Sequence, residues 1–116
     1  MDDETAVDDE TVVNDETVVD DETAAVLDEL FATIKQRQEE LPADSYTASL
    51  FTHEKGENEV LEKLGEESTE LILAAKDDDI DELQYESADF VYHLLVLFAM
   101  KGLDVDDLRA ELESRF

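Results

Sequence analysis

Apolar residues do not recur evenly along this chain, and the places where they do recur predict helices. Val26, Leu27, Leu30, Phe31 and Ile34 follow i, i+1, i+4, i+5 and i+8, the spacing of one buried helical face. The pattern starts near Thr23 and has to stop before Pro42, because the residue ahead of a proline is pushed out of the α region. Ser45 is placed to cap a short helix carrying Tyr46, Leu50 and Phe51. A third helix is predicted from about Glu57 to Lys76, with Val60, Leu61, Leu64, Leu71, Ile72 and Ala75 as its apolar stripe. Gly65 interrupts it at a cost of about 1 kcal/mol against alanine, which points to close packing or ligand approach there. The Asp77-Asp78-Asp79 run supplies the next N-cap, and a fourth helix is predicted from about Ile80 to Met100, closing on Gly102. Asp104 and Asp107 have capping-box spacing for a last helix ending near Arg115. No segment alternates with period two, so the expected fold class is all-α.

Ahead of these helices the pattern is of another kind. Residues 1–22 run through DDETAV, DDETVV and NDETVV into a fourth unit that begins DDETAA, a six-residue repeat that fits neither a helical period nor a solenoid unit. Its acidic blocks repel and its valine pairs offer little area to bury, so 1–22 is expected to be a disordered or fraying tail and 23–116 one helical domain.

Charge narrows the function classes. The chain holds 35 acids and 8 bases, a formal net charge of −27, yet 42% of it is hydrophobic. Eleven acids and no base fall in the first 22 residues; the other 94 carry 24 of the 35 acids and all 8 bases, a net −16. Acidity spread over the folded part matches a protein adapted to molar salt, where the Debye length is about 3 Å and self-repulsion is screened. A polyanionic partner is disfavoured, so no nucleic acid is expected. The longest apolar run, Phe90 to Met100, is 11 residues, against about 20 for a bilayer span. With no basic, apolar leader and no cysteine, the expected location is cytoplasmic, without thiolate chemistry.

Candidate chemistry lies in the third and fourth helices. Glu66, Glu67 and Glu70 border the apolar stripe of the third, Glu70 about 40° and Glu67 about 100° from Glu66 around the axis. The fourth is apolar on nearly every side from Tyr85 onward, except for Ser87 and a polar stripe of Glu86, Asp89 and His93. Burying an unpaired carboxylate costs several kcal/mol, so the acids need a partner. A divalent cation is one, and oxygen-only ligands point to Mg²⁺ or Mn²⁺. Mere solvation of an acidic protein is the alternative. His93 is a satisfied core residue, or else a ligand or a base.

GEESTE, fifteen residues and then ESAD resemble the EExxE…ExxD signature of the MazG-like all-α nucleotide pyrophosphohydrolases. LDELFATIKQR, SYTASLF, EKLGEESTELILAAK and YESADFVYHLLVLFAMKGLDVDDLRAEL, within about residues 24–116, are similar to one branch, the phosphoribosyl-ATP pyrophosphatases of histidine biosynthesis. The resemblance departs at the tail and at the acidic loop 53–59. It implies a MazG-like fold in which dimers or higher assemblies complete a four-helix bundle. It also implies hydrolysis of phosphoribosyl-ATP to phosphoribosyl-AMP and pyrophosphate. Glu66, Glu67, Glu70, Glu86 and Asp89 match the family's Mg²⁺-binding acids, with Glu66, Glu67 and Glu70 the candidates for catalysis. Lys63 and Lys76 resemble phosphate-contacting positions and serve either that or solubility. Ser45, Tyr46 and Thr47 either cap a helix or line the substrate pocket, and His93 joins the substrate candidates. The rival readings are a house-cleaning pyrophosphatase of the same superfamily and a non-enzymatic acidic module that binds a partner protein.

Overall fold

A computed structural model describes residues 21–116, with side chains from residue 25. The chain forms α1 (Asp21–Glu40), α2 (Tyr46–Phe51), α3 (Glu57–Lys76), α4 (Ile80–Met100) and α5 (Val105–Glu113), and no strand occurs among the described residues. The hexad repeat lies outside the described residues apart from the start of α1.

Each helix ends where local chemistry requires it. Leu41 turns left-handed at φ 49°, its N–H donating to the Arg37 carbonyl at 2.9 Å, and α1 stops ahead of Pro42. Ser45 caps α2 by accepting from the Ala48 N–H at 3.1 Å. Between α3 and α4 only three residues intervene, so the two helices fold back as a hairpin. Asp78 supplies the reversal at φ 56°, and the Asp79 side chain then caps α4 through the Glu82 N–H. After α4, Gly102 at φ 74° makes the C-terminal turn, and Asp104 with Asp107 forms the expected capping box.

The α3–α4 hairpin is the main packed unit, with α1 against α4 and α2, and α5 against α1. Phe31, Ile34, Leu50, Val60, Leu95, Val96, Ala99 and Val105 join in one core, drawing on all five helices. On α4 this core claims one side; Val91 and Tyr85 remain exposed. Leu95, which the all-round apolar pattern of α4 assigns with Phe98 to a seam between copies, is 1% exposed and belongs to the chain's own core, against which Phe98 packs. A charge at Leu95 is therefore expected to unfold the subunit, with helical circular dichroism lost at every protein concentration. Concentration-dependent recovery of the signal would contradict this. Gly65 also differs from expectation: a Cβ there would meet nothing within 4 Å in its own chain, so no close packing inside the subunit demands it.

Candidate functional site

Of the three acids on α3, the fold turns one inward. Val60, Leu64, Glu67, Leu71 and Ala74 share a stripe facing the rest of the chain, and Glu67 is only 8% exposed. Glu70, next around the helix, is exposed at the edge of that stripe, whereas Glu66 points away into solvent. The stripe of α4 faces back: Glu86 and His93 are buried and Asp89 is half-buried.

Two groupings result. In the first, carboxylate oxygens of Glu70, Glu82 and Glu86 lie within 4.8 Å of one another. The Glu86 carboxyl is pushed up to about 7 from an ordinary 4.5. Its hydrogen bond with Glu70 contributes most, then burial, then Glu82. Three like charges this close require protons or a cation between them. Glu82 was not among the sequence candidates, although a signal existed: it precedes Glu86 by four residues, extending the Glu86–Asp89–His93 stripe back by one helical turn.

The second grouping is a hydrogen-bonded line. His93 Nδ1 lies 2.8 Å from Glu67 Oε1 and 3.1 Å from the Asp89 carbonyl oxygen, and Tyr46 Oη is 3.2 Å from His93 Nε2. With both ring nitrogens engaged and 4% exposure, His93 is not open to a phosphate; it is the satisfied buried histidine of the blander reading. Alongside, Thr47 Oγ1 and Tyr92 Oη are 2.6 Å apart, and the Tyr46, Tyr92 and His93 rings pack against one another. Burial raises the Tyr46 phenol, assisted by Glu59, Glu67 and Asp89, and burial likewise raises Tyr92, so both keep their protons at neutral pH.

Ser45, Tyr46 and Thr47 also line an open groove of about 590 Å³ together with Thr33, Arg37 and Asp44. Ser45 therefore does both things proposed for it: it caps α2 and borders a cavity. Arg37, a cation that sequence reasoning passed over, sits in this groove; its signal was a lone base on the last turn of α1. Lys63 is half-buried and Lys76 exposed, and neither forms an ion pair among the described residues. Glu66 and Asp89 stand outside the converging trio. Chemically, the chain offers a carboxylate trio suited to a hard divalent cation, a buried carboxylate three residues from Glu70 on α3, and a groove lined by hydroxyls, the Arg37 guanidinium and the carboxylates of Glu40 and Asp44.

A family model described as phosphoribosyl-ATP pyrophosphohydrolase matches residues 27–116. The chain is 76% identical over 90 residues to the phosphoribosyl-ATP pyrophosphatase of Haloarcula marismortui, spanning 78% of this chain and 92% of that one. It is 72% identical over 90 residues to the protein so named in Natronomonas pharaonis (78% and 89% of the two chains). With the Lactiplantibacillus plantarum protein of that name, identity is 48% over 89 residues (77% and 82%).

Proposed function

This chain belongs to the phosphoribosyl-ATP pyrophosphohydrolase family and is a hydrolase, and from that premise we propose that it splits phosphoribosyl-ATP into phosphoribosyl-AMP and pyrophosphate with Mg²⁺ held by its carboxylates. The observation that carries the metal part of this reading is the convergence of Glu70, Glu82 and Glu86, with Glu86 kept from ionising normally by its neighbours. Glu70 and Glu86 would be the main ligands, Glu82 joining them. Glu67 and Asp89, which match the family's acids, would join them, and Glu66, the remaining match, is exposed on α3 and stands apart from the trio. Mn²⁺ fits the same oxygen donors.

A divalent ion in this place would neutralise charge on the diphosphate oxygens and lower the pKa of an attacking water. The residues themselves do the rest. A carboxylate among Glu66, Glu67 and Glu70 that is not saturated by metal accepts the water's proton as the bond between the α-phosphorus and its bridging oxygen breaks. The groove at Ser45, Tyr46 and Thr47, with Arg37, would take the phosphorylated sugar through its hydroxyl and guanidinium donors. Lys63 and Lys76 flank the acids on α3 and are the other phosphate-contact candidates.

Incubation with phosphoribosyl-ATP and Mg²⁺ tests the reading directly: pyrophosphate is expected as product, not orthophosphate. Faster hydrolysis of ordinary or aberrant nucleoside triphosphates than of phosphoribosyl-ATP would move the chain to a house-cleaning role.

Protonation gives a second test. Because the folded Glu86 pKa is raised, its contribution to metal-free stability is full below about pH 4.5 and is lost as pH climbs through about 7. Divalent metal displaces that proton. The rise in thermal midpoint on adding Mg²⁺ is therefore expected to be larger at about pH 8 than at about pH 6, and Glu86→Gln should flatten the difference. An equal rise at both pH values in the wild type would remove Glu86 from the metal site.

We further propose a two-fold dimer. On α3, Leu61 and Ile72 are exposed on one outward stripe with Gly65 between them, and Ile80 and Val91 share the outward stripe of α4. Pairing the two α3–α4 hairpins across an axis buries both stripes and completes a four-helix bundle. Ile72→Glu or Val91→Glu is expected to yield a monomer by light scattering, while Glu111→Lys on α5 leaves assembly intact. A monomeric wild type at molar salt would end this proposal.

A further inference from the structure

Glu67 is the most buried acid of α3, yet it lies outside the converging trio, and its environment is built by residues from two other helices. Among the described residues its one hydrogen bond is that from His93 on α4, at Oε1; Oε2 has none. Both neighbours of His93 Nδ1, the Glu67 carboxylate and the Asp89 carbonyl, are acceptors, so this nitrogen carries hydrogen and donates. The opposite nitrogen meets the hydroxyl of Tyr46 on α2. Tyr46 is 54% exposed and stands in the wall of the groove. A continuous line thus runs from a surface a ligand can touch to an acid with no other hydrogen bond among the described residues.

We propose that His93, itself held by Tyr46, is a positioning residue that clamps Glu67 by one oxygen and so keeps the second oxygen in a fixed place for the metal or its water. This role rests on the hydrolase reading above. A carboxylate with both oxygens free rotates about its last torsion, and a donor on one of them removes that freedom. The buried donor also meets the hydrogen-bonding need of a carboxylate taken out of water.

Two isosteric variants separate this from simple packing. In His93→Asn the side-chain amide nitrogen falls near the place of Nδ1, so the Glu67 bond is kept and the Tyr46 contact is lost. In His93→Gln the amide falls near Nε2, so Tyr46 is kept and Glu67 is released. Mn²⁺ binding followed by electron paramagnetic resonance, thermal midpoint, and separate kcat and KM for phosphoribosyl-ATP are measured at molar salt. His93→Asn is expected to stay within about 3-fold of wild type in Mn²⁺ affinity and kcat, whereas His93→Gln loses about 10- to 100-fold in both with KM little changed. Tyr46→Phe, which likewise keeps the Glu67 bond and loses the Tyr46 contact, should resemble the Asn variant in Mn²⁺ affinity and kcat. Equal losses in the Asn and Gln variants, tracking their thermal midpoints, would show a packing role and overturn the proposal; so would a Gln variant at the wild-type level. The expected order in Mn²⁺ affinity without any hydrolysis of phosphoribosyl-ATP by the wild type would sustain the clamp and sink the substrate assignment instead.

Discussion

Glu70→Gln is expected to lower phosphoribosyl-ATP turnover by at least about 100-fold, the scale of losing a metal ligand or a general base. Glu70 makes the largest contribution to the raised pKa of Glu86, so the two carboxylates interfere with each other whenever no cation lies between them. Removing one charge relieves that repulsion. The metal-free variant should therefore be at least as stable as the wild type while losing most of its activity. Such a divergence distinguishes a functional cluster from ordinary surface acids, whose loss changes neither property much. The measurements are pyrophosphate release at saturating Mg²⁺ and the thermal midpoint in chelator. Turnover within about 3-fold of wild type, or full wild-type activity in EDTA, would sink the metal assignment.

Dialysis from molar KCl to about 0.05 M is expected to cost the protein much of its helical signal, or to lower its thermal midpoint sharply, as the Debye length grows from about 3 Å to over 10 Å. Residues 23–116 carry a net −16, too large an excess for the few cations to offset. Lys55 lies 2.9 Å from Glu62, Lys101 2.9 Å from Glu57 and Arg109 2.8 Å from Asp28, and all these pairs are substantially exposed. Exposed pairs of this kind contribute about 0–1 kcal/mol each, so they do not compensate the remaining acids. Mg²⁺ at low salt should restore part of the lost stability through the carboxylate trio, and Glu70→Gln should blunt that rescue. Circular dichroism across the salt series decides it; indifference to salt would refute halophilic adaptation as the cause of the acidity.

The sequence by itself determined what depends on neighbours within a turn or two of the chain. Helix ends were legible because the responsible groups act locally: Pro42 forbids continuation, the side-chain oxygens of Ser45 and Asp79 accept from first-turn N–H groups, Gly102 adopts a left-handed φ, and Asp104 and Asp107 cap reciprocally. The family was legible because GEESTE, fifteen residues and then ESAD lie on one continuous stretch of chain, so both the motifs and their spacing can be read without the fold. Only the tertiary structure decided which acid does what. Glu66 and Glu67 are equivalent as adjacent residues bordering one stripe, and it is the packing of α4 against α3 that buries Glu67 and leaves Glu66 in water. The contact between Glu67 and His93 spans 26 residues and depends on the register of the hairpin, which a side-chain period cannot specify. Glu82 joined the site because the first turn of α4 folds back beside Glu70, and Leu95 left the expected seam because α1, α2 and α3 cover that side of α4 first. Periodicity reports that a face is apolar or charged; which neighbour meets that face is set by how the helices cross, and that depends on contacts distant in sequence.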